Sequence, residues 1–278
     1  MMVESNNEEL KNFLEILGLR EEPLGVYYTD QEPKEGFFPK PRKLPTAEEE
    51  REGSIDWGSV FENFSCVLGI IWRARKKRTA AFFSREHFGC LGGAFYLGFA
   101  ERQLNFIAHF VSTGIPNRVE GERYLESPDV TRTFFSTISP RPAPARFCVF
   151  KPLSQFVAGE KPELVIFFAR SEIICGLHQL VTFVTNDFEA VCSPFGPGCA
   201  GILTWPLRFL SQGKLKAVLA GWDPSERRYM KTDELSFTVP PELYKRMITR
   251  WRDSFLTTKT WVAVQKKIER SYKTWGEE

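Results

Sequence analysis

One short run constrains the fold of this chain more than any other, "ELVIFFA" at residues 163–169. After its first residue it is apolar throughout and rich in β-branched and aromatic types. A strand with one face in water would alternate apolar with polar residues. An unbroken run predicts a central strand covered on both faces. A sheet with helices packed over it follows.

Further strands are expected at 25–29, in "TAAFF", in "ARFCVFKPL", in "FEAVCSPF", in "KLKAVLAG" and in "ELSFTV". Helical spacing marks 8–17, where Leu10, Phe13, Leu14 and Leu17 share a face, and 65–75. "FGCLGGAFYLGFAE" is expected to run as a helix through Glu101, followed by another over 103–111. Ser127 caps a helix with Pro128 at its first position and Asp129 in its first turn. Others are predicted at 171–183, after the turn in "GPGCAGILTWPLRFL", at Pro240–Pro241, and from Lys259. Strands and helices alternate without repeats or a composition break. The fold class is therefore α/β or α+β, with residues 1–278 as a single domain of mixed sheet and packed helices.

Two segments stand apart. Residues 31–53 hold four prolines and many charges, which predicts an exposed loop that could act as a lid or binding loop. Residues 240–278 read as a C-terminal helical hairpin. Leu243, Met247 and Trp251 form one stripe on it, and Trp261, Val264, Ile268 and Trp275 another. These stripes are expected to pack on the body and could extend into a homodimer contact.

Charge excludes little. With 37 basic against 35 acidic residues there is no global field for a polyanion. The cluster Arg73, Arg75, Lys76, Lys77 and Arg78 reads as a solvated helix end, and no nucleic-acid motif accompanies it, so no nucleic-acid partner is expected. The start, "MMVESNNEEL", is too polar for a secretory signal, and no apolar run approaches the roughly 20 residues of a membrane span. A soluble, cytoplasmic protein is expected. Six cysteines in so apolar a chain do not read as a disulfide framework; in a reducing compartment they are core residues, metal ligands or reactive thiols.

Cys148, inside a strand, and Cys175, on an apolar helix, read as small buried hydrophobes. His178, three residues after Cys175, reads as hydrogen-bonded in place rather than as a ligand, and so do His87 and His109. Cys90 and Cys199 differ. "GCLG" and "GCAG" share the pattern Gly-Cys-x-Gly at predicted helix starts. Free N–H groups and the dipole at such a start lower a thiol's pKa, which predicts thiolate character. Cys66 is a third cysteine near a helix start, and Cys192 ends a strand seven residues before Cys199. None of the spacings is C-x-x-C, so a zinc ribbon or ferredoxin signature is absent. Separate helix starts could still converge.

The motifs "FGCLGGAFYLGF", "PELVIFFARSE" and "GPGCAGILTWPL", with "PLGVYY", "VFKPL", "LKAVLAG" and "DELSFTVPPEL" in the same order, resemble the uncharacterised ArCR family. This is a domain-of-unknown-function family found largely in anaerobic bacteria and archaea. The resemblance covers nearly the whole chain. It implies that Cys66, Cys90 and Cys199 occupy the recurring cysteine positions, and it assigns no reaction. The segment "AGWDPSERRYM" departs from the family pattern by its Trp222, which weakens any ligand role for Arg227 or Arg228.

Three functions are compatible with these residues. In the first, Cys66, Cys90 and Cys199 hold an iron–sulfur cluster or another soft metal, serving redox-linked or metal-assisted work on a small anionic molecule. In the second, the backbone around Gly89, Gly92, Gly93, Gly196, Gly198 and Gly201 grips a small anion without metal. In the third, Cys90 or Cys199 is a nucleophile, although no base partner is visible.

Overall fold

The computed structural model describes residues 2–275, with side chains from residue 8 onward. Met1 of the polar start and residues 276–278 of the C-terminal hairpin lie outside the described residues. The strands are β1 (Leu24–Thr29), β2 (Ala81–Phe83), β3 (Gly114–Ile115), β4 (Val119–Glu120), β5 (Phe147–Pro152), β6 (Leu164–Arg170), β7 (Val191–Cys192), β8 (Ala217–Ala220) and β9 (Glu234–Val239). Seven form one sheet in the order β2-β5-β1-β6-β9-β8-β7, and β3 and β4 form a small hairpin. Only the β7–β8 pairing is parallel in the large sheet. This is an α+β architecture with a mixed sheet.

The apolar run is β6, in the middle of that order. Its alternate residues feed two different cores. Leu164, Ile166 and Phe168 face one, with Val67, Ile71, Phe95 and Cys199. Val165, Phe167 and Ala169 face the other, with Phe13, Leu177, Leu243 and Trp261. Helices therefore cover both faces, as the unbroken run requires. The second core holds the N-terminal helix, Met2–Leu17, and the helices Ser171–Thr185 and Pro241–Arg250. The first core carries the candidate site.

Several elements are shorter than the sequence suggests. The helix expected to run through Glu101 spans only Leu91–Tyr96. Gly98 turns the chain with φ +82°, and a β-carbon there would overlap the Arg141 carbonyl oxygen. Tertiary contact overrides helical continuity at that point. The strand in "FEAVCSPF" shrinks to Val191–Cys192 at the sheet edge. In the basic cluster, Arg75 is not solvated. It is 7% exposed, bidentate to Glu234 and bonded to Glu21, and its guanidinium lies 4.8 Å from the Phe168 ring centroid.

The C-terminal stripe also divides. Trp261 is buried over Gly176 and donates its indole N–H to the Ile16 carbonyl at 3.0 Å. Val264 and Trp275 are exposed. The 31–53 segment is mostly exposed, but it is tied to the body at several points. Phe37 bridges to Ala81 beside β2, and Arg42 donates to the carbonyls of Val60 and Gly89. No helix among the described residues is long and apolar enough to cross a membrane.

Candidate functional site

Four segments meet on the β6 face that holds Cys199. The helix Val67–Lys77 starts at Cys66, its N-cap. The helix Leu91–Tyr96 starts at Cys90, also an N-cap, whose sulfur accepts the Gly93 N–H at 3.1 Å. Cys199 precedes a π-helical turn, Ala200–Thr204. A one-turn helix, Pro224–Arg227, begins at Asp223 and carries Glu226.

The glycines explain how the first two starts come together. Gly89 has φ +78°, and a β-carbon there would stand 2.8 Å from the Ser65 carbonyl oxygen. The Ser65 N–H in turn donates to the Gly89 carbonyl at 3.3 Å. A β-carbon at Gly93 would overlap Val67. The two helix starts are thus laid against each other, and the Cys90 sulfur faces N–H groups of both Gly93 and Val67. Gly198 lies under Glu226, Gly201 packs on Ala220 of β8, and Gly196 sits beside Ala200. Gly92 meets nothing closer than 3.8 Å.

Cys66, Cys90 and Cys199 lie close enough to feel one another electrostatically. Burial pushes the Cys66 thiol up to about 11, with negative charge on Cys90 adding to it; N–H groups of Gly69 and Leu68 pull the other way. Burial likewise raises Cys90, against the pull of the Gly93 and Val67 N–H groups and Arg42. Cys199 is raised well above its ordinary value by burial, then by Cys90, Cys66, Glu226 and Asp223. This corrects the expectation of a helix-start thiolate. The dipole is present, but desolvation outweighs it.

Two acids that motif reading missed complete the cluster. Asp223 accepts the Ser225 N–H at 2.9 Å and so has a structural task. Glu226 is 2% exposed, and its Oε1 has no hydrogen-bond partner. Burial raises its carboxyl to about 8, helped by Asp223 and opposed by the Asp223 N–H and Arg227. Tyr96 is raised by burial, then by Cys199, Asp223 and Cys90. The only sequence signal for Glu226 is Asp-x-x-Glu at 223–226, which reads as an ordinary helix cap.

The remaining candidates lie apart from this chemistry or are already engaged. Arg227 spends its guanidinium on the carbonyls of Gly221, Lys231, Thr232 and Glu234, which closes the 221–234 segment on itself. Arg228 lies over Tyr229. His87 bonds through Nδ1 to the Pro39 carbonyl at 2.7 Å. Cys148 is buried as expected, but Cys175 is exposed, because its turn of the helix faces away from the sheet. A cleft of about 780 Å³ lies between the 31–53 segment and β5, lined by Glu35, Phe38, His87 and Arg146 among others. Its mixed charges select no ligand class.

All six cysteines are unpaired. Among the described residues no three His, Cys, Asp or Glu side chains are arranged closely enough to close around one metal ion. The donor set is nonetheless soft and acidic, and it includes a buried oxygen without a partner.

No curated protein and no solved structure matches the chain. The model of the uncharacterised ArCR family, DUF169, matches residues 12–250 of 278. The chain belongs to the uncharacterised ArCR family.

Proposed function

We propose that this is a cytoplasmic metalloprotein that binds an iron–sulfur cluster or another soft metal on Cys66, Cys90 and Cys199. The observation that carries this reading is the meeting of three cysteines from separate segments: Cys66 is raised in part by Cys90, and Cys199 by both. Around a single ion, sulfur–metal bonds of about 2.3 Å bring sulfurs to roughly 4 Å from one another. A bound cluster would supply an electron store or a Lewis-acidic iron. The protein would contribute two helix starts that stabilise thiolate sulfur, and a dry wall around it. Six unpaired thiols accord with a reducing cytoplasm.

The other two readings find less support. A free anion would face Glu226 and Asp223 as well as the thiols. A nucleophilic Cys90 or Cys199 would need a lowered pKa, and burial moves both upward. A small molecule acted on by the metal remains part of the proposal.

The test is elemental analysis of protein purified without oxygen, together with its visible absorption. Stoichiometric iron and sulfide, or another soft metal, lost in Cys90→Ser, is the expected result. Colourless protein without stoichiometric metal overturns the reading.

A further inference from the structure

We infer that the protein has a second site, a small cavity under the 31–53 segment that takes a free α-amino acid with an aliphatic side chain; this does not rest on the metal reading above. The cavity holds about 230 Å³ and lies beside the wider cleft. Leu44, Leu91, Phe99, Ala100 and Leu104 supply its apolar lining. All but Phe99 belong to one apolar cluster, in which Leu91 and Leu104 are buried. The volume is below the roughly 300–1,000 Å³ of sites for drug-sized ligands, so the occupant is small. The apolar wall selects a short hydrocarbon body for it.

The polar groups of the lining choose the rest of the ligand. Gln103 lines the cavity and is 9% exposed, and its amide Nε2 is buried without a partner. Buried amide nitrogens are almost always hydrogen-bonded, so this one calls for an acceptor. Arg85 and Glu101 line both the cavity and the cleft, and so stand where the two meet. Both are exposed. Among the described residues neither forms an ion pair, whereas Arg102 is tied to Glu50 at 2.6 Å. Glu50 also accepts the Asn105 N–H, which holds the Ala47–Glu52 helix, whose start roofs the cavity, onto its floor. A cation and an anion left unpaired beside an apolar hollow match a carboxylate and an ammonium on one small molecule. Arg85 takes the carboxylate, with the Gln103 N–H as a further donor, and Glu101 takes the ammonium. A simple anion would meet like charge at Glu101, and a simple cation would meet it at Arg85.

The experiment is isothermal titration of the full-length protein with leucine, isocaproate, isoamylamine and glycine. Isocaproate and isoamylamine keep the hydrocarbon body of leucine but carry only one of its charges, and glycine keeps both charges without the body. Leucine should bind about tenfold or more tightly than each of the others, because a charge-assisted hydrogen bond and a buried isobutyl group are each worth at least that much. In Glu101→Gln leucine should lose its advantage over isocaproate, and in Arg85→Gln its advantage over isoamylamine. Gln103→Leu should weaken leucine about tenfold. Both charges are exposed, so the two charge variants should melt with wild type. Wild type that does not bind leucine overturns the inference. Leucine bound no better than either single-charge analogue also overturns it, and so does leucine affinity unchanged in either charge variant, since leucine would then sit elsewhere. If Gln103→Leu does not fold, the two charge variants decide. Metal content is measured separately, so failure here leaves the metal reading intact.

Discussion

The Glu226 carboxylate lies directly on Gly198, in space that any side chain at that position would need. A β-carbon there would overlap Oε2, and Leu68 closes the other side at 3.1 Å. The glycine before Cys199 thus serves the acid rather than the thiol. The glycine before Cys90 serves a different end, a left-handed turn that lays one helix start on another. The two Gly-Cys-x-Gly motifs look alike and do different physical work.

Gly198→Ala should therefore expel Glu226 or strain the turn, with a cost of about 1–3 kcal/mol from overpacking. Gly92→Ala is the contrast, because it meets nothing closer than 3.8 Å and lies inside a helix. Alanine there should be neutral or stabilise by up to about 1 kcal/mol. Thermal melting of the two variants checks this. Equal melting temperatures would contradict the crowding at Gly198.

Glu226 also sets a pH dependence for the metal-free protein. Its folded value of about 8 lies above its ordinary 4.5. Below the ordinary value the acid is protonated whether folded or unfolded, so its contribution is fully present. Between about 4.5 and 8 the unfolded chain releases the proton and the folded chain keeps it. Stability falls across that window and levels off above it. Glu226→Gln cannot titrate, so it should lose this part of the slope and melt higher than wild type at alkaline pH, by a few kcal/mol at most. Parallel melting curves for the two proteins between acid and alkaline pH would count against it.

How far the sequence discloses this molecule depends on which force decides each feature. The two-faced β6 was legible because burial on both sides leaves no room for polar alternation. The Ser127 cap was legible too, because its signal is local; its side chain accepts the Val130 N–H at 3.3 Å. The end of the helix after Tyr96 was not legible, because the Arg141 carbonyl that crowds Gly98 arrives from far along the chain. Arg75 looked like part of a solvated run for a similar reason, since Glu234 is 159 residues away. The three thiols could be singled out from local pattern. Their raised pKa values could not, because desolvation depends on the whole core. Glu226 was hidden by an ordinary capping pattern.

Labelling should follow burial rather than the helix dipole. Cys175 is exposed, whereas Cys148 and Cys199 are buried and Cys90 is raised by burial. Iodoacetamide at neutral pH should modify Cys175 first in metal-free protein, and Cys90 and Cys199 slowly. Cys175→Ser and Cys148→Ser should leave metal content unchanged. Mass-spectrometric mapping reads the order directly, and fast labelling at Cys90 would mean that its helix start is open to solvent.

The last helix should be held by one residue. Trp261 is 6% exposed, with its ring at Gly176 and packed edge-on against Phe255 at 5.1 Å between centroids. Its indole N–H also satisfies a carbonyl of the N-terminal helix. Trp275, on the same predicted stripe, is 77% exposed. Trp261→Ala should cost about 3–5 kcal/mol through lost burial and an unmet carbonyl. Trp275→Ala should stay within about 0.5 kcal/mol if the chain is monomeric. If two copies pair through this face, Trp275→Ala should instead shift the elution volume toward monomer at unchanged helix content. Size-exclusion chromatography and chemical denaturation on the two variants separate these outcomes. A Trp261→Ala variant as stable as wild type would show that the helix is not anchored there.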